Sequence, residues 1–183
     1  MLLDQKRTKR TVQIVAIITS IAFAGVIFVV LGLILFGGGE TPEDVAVADA
    51  KERVEASPRE ADEWAGLASA YLGAERYDEA VDAAERAVQL APKDIRVVQT
   101  LVTVQTEAGR EDEAIATLQD FTRRNPRNAE AFLQLGQMAQ SAGRTQLARL
   151  SFQTFLRLAP DHSLAESVRD ALDGLAAGGG ARP

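Results

Sequence analysis

Two rhythms of apolar residues divide this chain. From Ile14 to Phe36 no position carries a charge, and sixteen of the twenty-three residues are Ile, Leu, Val or Phe. From Pro42 onward the apolar positions thin out and recur at i, i+3, i+4 and i+7, the spacing of one face of an α-helix. In "ADEWAGLASAYL" that face is Trp64, Leu67, Ala68 and Tyr71; in "YDEAVDAAERAVQL" it is Ala80, Ala84, Ala87 and Leu90. The first rhythm predicts a membrane-spanning helix over 14–36, which at 1.5 Å per residue reaches about 34 Å and exceeds a hydrocarbon core of about 30 Å. The second predicts helix after helix, and nothing after residue 36 reads as a strand.

The helices are punctuated on a fixed period. Pro58, Pro92, Pro126 and Pro160 stand 34 residues apart, each after a helical run that a proline cannot continue. Between them each unit splits into two helical runs with a turn near Gly73, Gly109 or Gly143. The second unit places Val98, Leu101 and Val102 on its first face and Ala114, Leu118 and Phe121 on its second. The third repeats this with Phe132, Leu135, Gly136 and Ala139, then Ala148, Phe152, Phe155 and Leu158. A period of this length, carried by pairs of helices, is the mark of a stacked repeat array.

Trp64, Leu67, Ala68, Tyr71, Tyr77, Ala80, Ala87 and Pro92 resemble the tetratricopeptide repeat (TPR), and the resemblance covers about residues 58–162. It implies an all-α fold: an α-solenoid of three helix pairs, about 61–94, 95–128 and 129–162. Ala80, Ala114 and Ala148 fall where the paired helices cross too closely for a larger side chain. Gln105 departs from the usual Tyr, Glu75 takes the first unit's turn-glycine place, and Phe121 and Phe155 fill a step usually held by Ala. Residues 42–57, with Ala46 and Ala50 on the period, read as a lone second helix before the stack. Residues 163–177, with Leu164, Val168, Leu172 and Leu175 on one stripe, read as a capping helix that shields its last apolar face. The solenoid thus spans 42–177, joined to the membrane helix by a linker over 37–41 and followed by a disordered tail over 178–183.

Charge gives the membrane helix a direction. Lys6, Arg7, Lys9 and Arg10 stand in the tail 1–13 against Asp4 alone, whereas the residues just after the apolar run are acidic. The positive-inside rule then leaves the N-terminus cytoplasmic and the repeat domain outside, on a single-pass protein of the cell (inner) membrane. A cleaved signal peptide is the competing reading, supported by "AVA" at 46–48 but opposed by an apolar run much longer than a signal's core. Ala16, Ser20 and Ala24 share one face of that helix and offer a close-approach surface for a second membrane helix.

The rest of the composition mostly removes function classes. From residue 37 onward 25 acidic side chains face 16 basic ones, a balance unsuited to nucleic acid. There is no cysteine, so there is no thiolate metal site and no cysteine nucleophile, and the single histidine, His162, has no second histidine beside it and reads as a surface or capping residue. Asp78–Glu79 and Glu111–Asp112–Glu113 open second helices, where the helix N-terminus stabilises acids without any catalytic role. No catalytic residue, cofactor site or metal site is assigned, and the chain is read as a non-enzyme.

What remains is binding. In the TPR resemblance the first helices line a concave face that takes peptides or helices. Its groove-facing steps here are Asp62, Ala65, Ser69 and Leu72; then Arg96, Gln99, Thr103 and Thr106; then Glu130, Leu133, Gln137 and Gln140. The family's clamp for chaperone C-terminal carboxylates uses Lys and Asn, and Ala65, Ser69, Gln99 and Thr103 do not supply it. The partner is therefore another protein or peptide. The expected role is a membrane-anchored adaptor or assembly factor of the cell envelope, of the kind found among cytochrome c maturation factors, translocon-associated chaperones and envelope scaffolds. A self-associating, non-enzymatic membrane scaffold, a homo-oligomer, is the alternative.

Overall fold

A computed structural model of the chain describes residues 41–178. The predicted basic tail, membrane helix and nearly all of the linker lie outside the described residues, as do residues 179–183. No helix among the described residues is long and apolar enough to cross a membrane. The chain divides after Pro42 into two units, and the fold set out below is that of the second.

Eight helices follow one another, with no strand among the described residues: α1 (Pro42–Ala56), α2 (Ala61–Gly73), α3 (Tyr77–Leu90), α4 (Ile95–Glu107), α5 (Glu111–Arg124), α6 (Ala129–Ser141), α7 (Thr145–Leu158) and α8 (Ala165–Gly178). The pairs α2/α3, α4/α5 and α6/α7 are the three predicted repeats. All four prolines of the period stand in exposed turns, between one second helix and the next first helix. The lone helix and the cap are present too, the cap starting two residues later than predicted and taking in Gly178.

Each repeat is closed by its alanine. Ala80, Ala114 and Ala148 are each 0% exposed. Four residues further along each second helix, residue size is traded against the first helix. The pairs are Ala68 with Ala84, Val102 with Leu118, and Gly136 with Phe152, and all six are buried. In the last pair a Cβ on Gly136 would collide with the Phe152 ring, so the glycine is what admits the aromatic. The Gln105 departure is also answered within the fold. Gln105 is buried at the step of Tyr71, and its Oε1 accepts from Thr117 Oγ1 at 2.9 Å, so no carboxamide acceptor is stranded in the core.

The turns inside the repeats share one geometry. Glu75, Gly109 and Gly143 have φ of +56°, +72° and +68°. The next residue is Arg in every case, and its N–H donates to the carbonyl of Tyr71, Gln105 or Ala139, the long bond of a Schellman closure. Those arginines also link the repeats. Arg110 reaches back to Asp78 and Arg144 to Asp112, the same pair one period on. Arg76 bonds Glu79, which chiefly holds the guanidinium's pKa above its ordinary value, and Asp44 adds to that. The acids read from sequence as helix-end charges therefore serve also as rungs between repeats. Exposed pairs of this kind stabilise by about 0–1 kcal/mol each, so they register the stack more than they hold it.

Two predicted core positions are solvent-facing. Ala46 is exposed although it sits on the alanine period, because no described first helix precedes α1; Ala50 is buried. Leu164 is 42% exposed because the chain is still turning there, and Ala165 takes the buried place beside Val168.

Two substitutions test this packing. Glu75→Gly relieves a left-handed residue with a side chain and should stabilise the fold by about 0.5–1 kcal/mol, seen as a higher urea midpoint at unchanged slope. Gly136→Ala gains about 1 kcal/mol of helix propensity but overpacks Phe152, for a net loss of about 1–2 kcal/mol. Adding Phe152→Leu should make the alanine tolerable, as a double-mutant cycle in thermal melts will show.

Candidate peptide-binding groove

The helices that line the groove are set by local capping. Asp94 caps α4 by accepting from Arg96 N at 2.9 Å, and Asn128 caps α6 by accepting from Ala131 N at 3.0 Å. His162 occupies the same step one period later, where its Nδ1 accepts from Leu164 N at 3.1 Å within the turn that precedes α8. Glu60, at the first step of this series, makes no side-chain cap.

Helix size then sets the gap. Small residues (Ala65, Ala68, Ser69) let α2 pack closely along α4. One repeat on, the equivalent steps carry Gln99, Val102 and Thr103, with Leu118 behind them, and no comparably close packing joins α4 to α6. The distance between packed helices follows the side chains at the contact. A cavity of about 450 Å³ opens between α4 and α6. Val102, Leu118 and Met138 give it apolar surface; Gln99, Thr103, Gln134, Gln137 and Ser141 give it uncharged polar surface.

Of the twelve predicted groove residues, Gln99, Thr103 and Gln137 meet at this cavity. Ala65 and Leu72 are half-buried, Leu72 against the first core cluster. Ser69 and Thr106 are exposed, but their hydroxyls donate to the carbonyls of Ala65 and Val102 in their own helices. Asp62 and Arg96 answer each other at 3.3 Å, so neither is a free charge in the groove. Glu130 accepts from Gln134 at 3.2 Å, and Gln140 stands exposed. Leu133 is a correction: at 3% exposure it lies inside the last core cluster with Val168, because the capping helix covers that step of α6. The sequence reading missed Gln134, Met138 and Ser141. Together with Gln137 they form an i, i+3, i+4, i+7 stripe, a legible signal, but one turned toward α4 rather than to the steps carried over from the resemblance.

Asp62, Asp94 and Arg96, beside the groove, compensate one another. Arg96 donates to Asp94 at 2.8 Å as well as to Asp62. The bond from its side chain, followed by that from its backbone N–H, holds the Asp94 carboxyl below the usual carboxylate range, while Asp94 and Asp62 raise Arg96. Among the described residues no group of three His, Cys, Asp or Glu side chains is arranged to hold a metal ion.

Helix pairs on this period have a known counterpart. Residues 49–165 match the model of the cytochrome c-type biogenesis protein H TPR domain, well over half the chain. The chain belongs to that family. Three solved structures show the same TPR fold at low identity. MamA is 17% identical with a TM-score of 0.58, over 78% of this chain and 86% of that one. A tetratricopeptide repeat protein from Parabacteroides merdae is 17% identical with a TM-score of 0.59, over 73% and 53%. The first TPR of Spaghetti (RPAP3), bound to the HSP90 peptide SRMEEVD, is 14% identical with a TM-score of 0.52, over 65% and 92%. No protein with a curated description matches the chain. The TPR domain of this family thus accounts for the fold.

The Asp94 cap carries a pH signature. Its lowered pKa means that the stabilisation is complete above the unfolded Asp value, about 3.9, and is lost as pH falls through the lower folded value. Asp94→Asn keeps a good cap and loses the charge. It should be less stable than the parent at pH 7, and the difference should close on titration below about pH 4, followed by urea unfolding at each pH.

Proposed function

We propose that this chain is a membrane-anchored TPR module that holds an apocytochrome c polypeptide in its concave groove during cytochrome c maturation, on the extracytoplasmic side of the inner membrane. The family match carries the pathway. The uncharged cavity between α4 and α6 carries the binding surface. The apolar run at 14–36 and the basic tail before it support the anchor and its orientation. In this reading the role is a holding one: it keeps a polypeptide extended and accessible for others to act on.

One experiment in cells tests anchor, orientation and partner together. A photoreactive side chain replaces Gln137, cells are irradiated, and spheroplasts are treated with external protease before membranes are washed with carbonate. The expected adduct stays with the membrane, contains apocytochrome c and is digested from outside. An adduct that washes off, is protected from protease, or contains only holocytochrome or only a second copy of this chain overturns the corresponding part of the reading.

A further inference from the structure

The outer face of the stack, formed by the second helices, carries a feature independent of the groove reading. The helices α5 and α7 stand one period apart and do not pack closely on each other. A cavity of about 310 Å³ lies between them, with Phe132 and Leu135 of α6 at its floor and Leu147 and Leu150 of α7 along one wall. We infer that this trough docks an acidic amphipathic helix of a second protein.

The apolar wall is not something the repeat requires. Leu147 stands at the step of Glu79 and Glu113, and Leu150 at the step of Asp82 and Ala116, so the earlier second helices do without leucine there. Leu150 is 60% exposed, more than any other large apolar side chain among the described residues. It adds little to the core and leaves an apolar edge along the trough, as a surface kept for a partner does. A trough between two helices takes a third helix, whose apolar stripe would lie on Phe132, Leu147 and Leu150.

Charge sets the sign of the partner. The helices α3 and α5 each carry four acids, and α7 carries none. Arg123 lines the trough; Asp120 meets it at 2.8 Å and Arg124 at 4.0 Å, one carboxylate for two guanidiniums. Arg157 follows Leu150 and Thr154 on the same stripe of α7, exposed and in no ion pair among the described residues, Asp161 of the next turn included. The other acids of α5 lie in its first turn, at the far end of the trough, where Asp112 meets Arg144 and Glu113 meets Arg110. One end of the trough is therefore cationic, and carboxylates about 10 Å along the partner helix from its apolar residues would meet it. A lipid surface fits less well. The chain after residue 36 is net acidic, and Phe132 and Leu135 are recessed between the helices rather than projecting from them.

A photoreactive side chain at Gln153, exposed between Leu150 and Arg157, tests this in cells carrying the full chain, with the crosslinked peptide sequenced by mass spectrometry. The expected adduct is a second protein, joined through a segment with apolar residues at helical spacing and more Asp and Glu than Lys and Arg. Leu150→Asp, and separately Arg123→Gln/Arg157→Gln, should each cut its yield about fivefold or more, with thermal melts unchanged. The first repeat carries Asp82 and Gln89 at these steps, so the fold accepts both replacements. An adduct that is phospholipid or another copy of this chain, a neutral or basic crosslinked segment, a yield that either variant leaves unchanged, or no adduct at all overturns the inference. None of these outcomes touches the groove, which the Gln137 crosslink tests separately.

Discussion

Everything in this fold depends on how closely two helices can approach within one repeat. Ala80, Ala114 and Ala148 are wholly buried where the paired helices cross, and a larger side chain at that step would force the pair apart. The pairs in turn stack, and a repeat that cannot close cannot offer its neighbour a flat apolar face. The neighbouring contact then varies without loss of the pairing: Ala68 and Ala84, Val102 and Leu118, Gly136 and Phe152 fill similar space with different partitions of volume. Where both partners are small the stack is tight. Where Val102, Leu118 and Met138 gather, α4 and α6 are held open and the groove gains depth.

Polar groups follow the same period and solve a different problem. The Schellman bonds satisfy the carbonyls that end each first helix, and two of the arginines that make them reach sideways to the preceding repeat. Arg110 and Arg144 thus combine a local backbone role with one between repeats, while Arg76 pairs with Glu79 inside its own. Because these pairs are solvent-exposed, their worth lies in setting register rather than in stability. The same compensation operates beside the groove, where Asp62, Asp94 and Arg96 consume one another and leave the cavity neutral.

Membership in the cytochrome c-type biogenesis protein H TPR family gives this arrangement a setting. The similarity to MamA and to the Spaghetti TPR, each under a fifth identical, shows how widely different surfaces are built on the same helix pairs.

Much was legible before any coordinates. The 34-residue spacing of prolines and alanines determined the helix pairs, their number and both flanking helices, because backbone breaks and close contacts tolerate few residue types. Three of the residues at the family's steps, Gln99, Thr103 and Gln137, line the cavity. Side-chain partners across the period were not legible. That Asp112 meets Arg144, that Thr117 satisfies Gln105, and that the cap buries Leu133 all depend on which surfaces the stack brings together. Local residue type set each helix and its turn; only packing decided how far α4 stands from α6, because that distance is the sum of side chains contributed by three helices, and no single helix encodes it.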